Sequence, residues 1–148
     1  MENFIAQSQI EFNQEIVLAL EIASKKRDLA FLENSKISVS NAGKTFTASW
    51  EIYDEFDGNS RAILISKFQR TSGTTEEKIP FDVIRALEVI ASDNRYKKVW
   101  IVLGGTGWNQ KYLQFIETKL QNWIPQMIGR VLIVVRRSDF LSTDFSDF

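Results

Sequence analysis

Apolar residues at Phe12, Ile16, Ala19, Leu20 and Ala23 recur at the spacing of one helical face and predict a helix from about Ser8 to Leu32. Glu11 and Glu15, four apart, share a neighbouring face of it. The period then shortens. Lys36 to Ser40 reads as a short strand ended by the loop Asn41-Ala42-Gly43-Lys44. Thr45 to Tyr53 alternates, with Phe46, Ala48, Trp50 and Ile52 expected on one face. Asp54 to Ser60 carries turn residues, so Arg61 to Gln69 returns as the partner strand of a hairpin.

Pro80 suits the first turn of a second helix, about Pro80 to Ser92, with Phe81, Ile84, Leu87 and Val89 as its apolar contacts. Val99 to Gly105 is apolar and ends in glycines, the pattern of a strand buried on both faces. A third helix is predicted from about Asn109 to Trp123, stopping near Pro125, and a last buried strand from Arg130 to Arg137. Residues 142–148 read as a loose acidic and aromatic tail. The order helix, three strands, helix, strand, helix, strand predicts an α/β domain of three layers with a mixed central sheet. Its first three strands should be antiparallel and the later ones parallel. With no repeat, linker or low-complexity tract, one domain is expected over residues 1–148.

Composition narrows the chemistry. Hydrophobic residues make up 44% and charged residues 25%, as in globular chains. Histidine and cysteine are both absent. That excludes zinc fingers, serine–histidine triads, thiol nucleophiles and haem ligation. Hydrolytic chemistry would have to use carboxylates, lysine, hydroxyls or a hard metal on oxygen ligands. The lack of cysteine, of a signal peptide and of a long apolar run predicts a soluble, cytoplasmic protein with no membrane partner. A net charge of −1 argues against a generic nucleic-acid coat but leaves room for a nuclease, whose acidic metal site offsets basic contacts. The clusters Lys25-Lys26-Arg27, Lys97-Lys98 and Arg136-Arg137 read as solvated surface.

Alternation within Arg61 to Gln69 places Ile63, Ile65, Lys67 and Gln69 on one face, and Leu64, Ser66 and Phe68 on the other. The first face turns from apolar to polar at the strand end. Lys67 can bury its stem there and hold its ammonium in a cleft, or simply reach solvent. The loop Arg70 to Thr75 has small polar side chains and backbone N–H groups before a helix, which suits a phosphate contact. The glycines after Val99 to Leu103 lack a phosphate-loop lysine or a dinucleotide fingerprint, so they are read as turn glycines or as a close approach to DNA. Trp108 and Tyr112 are read as core residues, with base stacking as the other option.

The element order, and the run Lys67, Gln69, Ser72-Gly73-Thr74, Glu77-Lys78-Ile79-Pro80-Phe81 followed by Val99 to Trp108, resemble the PD-(D/E)XK nuclease superfamily of restriction and homing endonucleases. The resemblance implies a restriction-endonuclease-like α-βββ-α-β core and a Mg²⁺-dependent (or Mn²⁺-dependent) DNA endonuclease. It also implies double-stranded DNA as partner and a homodimer or homotetramer. Lys67 would be the catalytic lysine and Gln69 would orient water. Glu11 and Glu51 would supply carboxylates to the metal, and Arg70, Thr71, Ser72, Thr74 and Lys78 would contact DNA. The family has an acid two positions before the lysine, and Ile65 stands there. Glu76 or Glu77 at the start of the second helix, or Glu15, could replace it. A catalytically inactive DNA-binding or partner subunit on the same fold is the alternative.

Overall fold

The structure, a computed structural model, describes residues 6–39, 44–71, 73, 75–143 and 145. Its elements are α1 (Gln9–Arg27), β1 (Leu29–Val39), β2 (Lys44–Asp54), β3 (Arg61–Phe68), α2 (Ile79–Ser92), β4 (Tyr96–Gly104), α3 (Gln110–Thr118), α4 (Leu120–Trp123), β5 (Val131–Val134) and α5 (Arg137–Ser142). The five strands lie in sequence order in one sheet. β1, β2 and β3 pair antiparallel, and β3, β4 and β5 pair parallel. Two apolar layers cover the faces. Phe12, Ile16 and Leu20 of α1 pack on one side with Leu64 and Trp100, while Val83, Ala86 and Val89 of α2 pack on the other with Ile63 and Ile101.

The first helix is shorter than its periodicity predicts. Ser8 caps it by accepting from the Glu11 amide, and Lys25, Lys26 and Arg27 complement the negative end of its dipole. Asp28, in the left-handed region at φ 50°, then turns the chain out of the helix. Residues 29–32 therefore extend and pair with residues 51–54 of β2, opening an eleven-residue β1. The expected single face of β2 also divides. Trp50 and Ile52 pack in the α1 layer, whereas Phe46 and Ala48 pack in the α2 layer. Asn34, with φ 53°, interrupts the neighbouring strand at the same level, and the Ser49 hydroxyl accepts the Ser66 amide at 3.1 Å. A change of face there reverses the alternation.

On α2 the buried stripe is Ile79, Val83, Ala86 and Val89, rotated from the predicted one. Phe81 and Ile84 are 58% and 46% exposed. Among the described residues, no helix is long and apolar enough to cross a membrane.

Candidate active site

β3 delivers its side chains as alternation predicts. Ile63 and Ile65 enter the α2 layer, and Leu64 and Phe68 join the α1 layer. Lys67 stands at the end of the α2-facing row. Its ammonium lies 3.4 Å from Asp82 Oδ2 of α2, with Lys67 and Asp82 30% and 19% exposed. Burial pushes the Asp82 carboxyl above the usual carboxylate range, against the charge of Lys67. Asp82 Oδ2 is buried, and among the described residues the long Lys67 contact falls short of a well-formed hydrogen bond to it.

Asp82 is the residue that the sequence reading missed. It lies three residues after Ile79 and four before Ala86, on the apolar stripe of α2. A carboxylate inside such a stripe is a legible signal once the stripe is placed correctly. The stripe expected from Phe81, Ile84, Leu87 and Val89 did not include Asp82.

Gln69 follows β3 and is buried. Its amide donates to the Gly104 carbonyl at 3.0 Å and its carbonyl accepts from the Gly107 amide at 2.8 Å. Its side-chain Nε2 donates to the Gly107 carbonyl at 2.8 Å. Oε1, the remaining group, is buried without a hydrogen bond among the described residues. Gly105, at φ 92°, allows this junction, since a Cβ there would lie 2.3 Å from the Gln69 carbonyl oxygen. The glycines after β4 thus bring two strand-end loops together. Trp108 is a core residue whose indole donates to the Gly104 carbonyl at 2.7 Å, and Tyr112 stacks on Phe115.

The structure does not bring Glu51 to Lys67. Glu51 pairs across the ladder with Ile63, four residues before Lys67, about 13 Å along the strand. It is 3% exposed. Ser35 Oγ and Arg61 Nη1 each donate to it at 2.5 Å, and Tyr96 OH donates at 3.1 Å. Burial raises its pKa, but these bonds together with the Arg61 charge hold it below the ordinary value. Tyr96 in turn is pushed up to about 12, by burial and then by the Glu51 charge. Glu51 is a structural ion-pair residue, with its oxygens already engaged.

Glu11 is exposed at the start of α1, where its Oε2 accepts the Gln7 amide at 2.7 Å. That is a helix-start bond, and nothing in the described residues directs Glu11 to Lys67. Glu15 is half-buried on α1. Glu77 is exposed, as are Arg70, Thr71 and Lys78. Ser72 and Thr74, and the side chain of Glu76, lie outside the described residues. At the family's acid position, Ile65 is 7% exposed within the α2 layer. Among the described residues no group of three or more acids, histidines or cysteines is placed to hold a metal ion.

A family model described as a PD-(D/E)XK nuclease superfamily domain matches residues 9–146. No curated protein matches. Among solved structures, the chain is similar to the "Crystal Structure of Protein of Unknown Function AF1548", at 9% identity and a TM-score of 0.43 over 81% of this chain. The match covers 55% of that protein, so the chain spans about half its length.

Proposed function

The chain belongs to the PD-(D/E)XK nuclease superfamily, and from that premise we propose that it is a metal-dependent endonuclease of the restriction or homing type, cutting phosphodiester bonds in double-stranded DNA. The observation that carries this reading is the Lys67–Asp82 pair, 3.4 Å apart at the end of β3. It supplies a lysine and a carboxylate from two elements where Ile65 leaves no acid on the strand.

Nucleases of this superfamily generally use divalent metals. Mg²⁺ needs only one or two carboxylates, with waters and substrate oxygens completing its shell. Among the described residues, Asp82 Oδ2, which has the Lys67 ammonium 3.4 Å away, and Gln69 Oε1 are among the buried oxygens without a hydrogen-bond partner. Such unsatisfied acceptors are costly unless something meets them. As donor types, a carboxylate and an amide oxygen suit a hard cation at the lower limit of what it requires. Asp82 would hold the ion, and Gln69 Oε1 is the available neutral donor. Bound there, a divalent ion supplies Lewis-acid polarisation of the phosphate and a more acidic water.

The chain's own residues do the rest. Lys67 presents three N–H donors and a positive charge at the strand end, suited to oxygens that gain negative charge in the transition state. Asp82 keeps that ammonium oriented. The Gln69–Gly107 bonds hold the strand end rigid beside it. Exposed Arg70, Thr71 and Lys78 are the available backbone contacts for DNA, and Ser72 and Thr74 remain candidates from the sequence.

Incubating supercoiled plasmid with the protein and Mg²⁺ or Mn²⁺ tests the reading. Cleavage is expected with metal, none with EDTA, and none from Lys67→Ala or Asp82→Asn. Tight DNA binding without cleavage under either metal would instead support a catalytically inactive DNA-binding or partner subunit. The observation favouring that second reading is the apolar burial of Ile65.

A further inference from the structure

The end of the sheet that carries Lys67 continues into a cleft of about 470 Å³ between α3 and the C-terminal ends of β4 and β5. Leu103, on its wall, is the ladder partner of Lys67. Ladder partners point to the same side of a sheet, so the cleft shares both the face and the end of the sheet with Lys67. Gly105, also on the wall, backs onto the Gln69 carbonyl. The volume falls within the roughly 300–1,000 Å³ of small-molecule sites.

The lining has a specific chemistry. Leu113 and the edge of the largely buried Trp108 provide an apolar surface. Gln110 and Gln114, one helical turn apart on α3, offer two carboxamides. Each carboxamide pairs a donor with an acceptor, which matches the edge of a nucleobase. Lys111 and Arg136 bring two positive charges, and Glu117 brings one negative charge at 2.8 Å from Arg136. Asp139 lies 3.6 Å from the same Arg136 guanidinium, so these charges balance, and Lys111 is the cation of the lining that is offered to a phosphate. An apolar surface, base-edge groups and a cation within one cleft match the parts of a nucleotide.

We propose that this cleft binds one nucleoside phosphate, with the base against Leu113, its edge read by Gln110 and Gln114, and the phosphate met by Lys111. The proposal deepens the nuclease reading and rests on it, since a nucleotide here would neighbour the phosphate at Lys67. A free nucleotide carries the same chemistry.

The test follows the side-chain amide signals of Gln110 and Gln114 by NMR of the full chain in EDTA. Each of the four deoxynucleoside monophosphates is titrated, then a short DNA duplex. Both signals are expected to move with at least one probe. Lys111→Ala should weaken that probe about tenfold and, for the duplex, reduce the salt dependence of log affinity by about one. The amide spectrum itself reports whether the variant is folded. Movement with mononucleotides identifies a free-nucleotide site, and movement with the duplex alone identifies a strand-bound nucleotide; either upholds the proposal. Signals unmoved by every probe overturn it. Plasmid cleavage by a chain with unmoved signals would overturn the cleft while the nuclease reading stands. Moving signals without cleavage would uphold the cleft and overturn the nuclease reading.

Discussion

Asp82 and Glu51 are both largely buried carboxylates, and their surroundings give them opposite tasks. Glu51 is met by Ser35, Arg61 and Tyr96, and its pKa is held below the ordinary value although burial works against it. A depressed folded-state pKa contributes stability above the unfolded value, and that stability is lost as pH falls through the folded value. Glu51→Gln should therefore destabilise the protein by about 2 kcal/mol at neutral pH, because Arg61 loses its charged partner. The gap to the parent should close as pH drops below 4.5. Chemical denaturation across a pH series measures both. Asp82 is partly buried with the Lys67 ammonium 3.4 Å from Oδ2, and burial raises its carboxyl against that contact. A group with that balance opposes folding when ionised. In EDTA at pH 7, Asp82→Asn should melt no lower than the parent, while metal-dependent cleavage disappears. A clear loss of melting temperature would mean that Asp82 is a structural partner of Lys67 instead. Nothing but residue type distinguishes these two acids in the sequence. Glu51 attracted attention by lying on β2, yet its fate depended on Arg61 and Tyr96, ten and forty-five positions away.

Elements meet at this site through the junction of β3 and β4. Gln69 exchanges two hydrogen bonds with Gly107, one of them through its side chain, and donates a third to the Gly104 carbonyl, and Gly105 permits the contact with its positive φ and missing side chain. Gly105→Ala combines left-handed backbone strain of about 1 kcal/mol with a clash against backbone rather than a movable side chain. It should destabilise the protein by about 3 kcal/mol and cut cleavage at least about tenfold, by shifting the strand end that carries Lys67. Thermal melts and plasmid assays on the same sample would measure the two effects. Cleavage unchanged in a destabilised protein would separate the junction from the site. The β3 alternation was legible because one face contacts α1 and the other α2 throughout. The β2 alternation was misleading because Asn34 and Ser49 change the face midway, and no local pattern marks such a change. The α1 boundary failed for a similar reason. Residues 29–32 are apolar enough to continue a helix, and their pairing with β2 pulls them into the sheet.

At the scale of the whole molecule, cutting both strands of a duplex requires two sites, and this chain offers one Lys67–Asp82 pair. A homodimer or homotetramer is therefore part of the proposed function. Linear product from circular plasmid should rise more steeply than the first power of protein concentration, and light scattering on DNA should give an even number of chains. A first-order dependence yielding nicked circles only would point to a single-site nicking enzyme. With a net charge of −1, the proposed DNA affinity would have to come from local cations and should fall steeply with salt. Element order, strand directions, the two faces of β3 and the superfamily were all readable from residue periodicity and the Lys67 to Trp108 motif, because those are properties of neighbours along the chain. Absent histidine and cysteine likewise limited the chemistry before any folding was considered. Which carboxylate serves Lys67 was not readable. Asp82 reaches it only because α2 crosses the end of β3 with its buried stripe in one particular rotation. Glu51 is withdrawn only because Arg61 and Tyr96 close around it at the other end of the same strands. Contacts of that kind are made across the fold, between residues whose spacing in the chain says nothing about their distance in space.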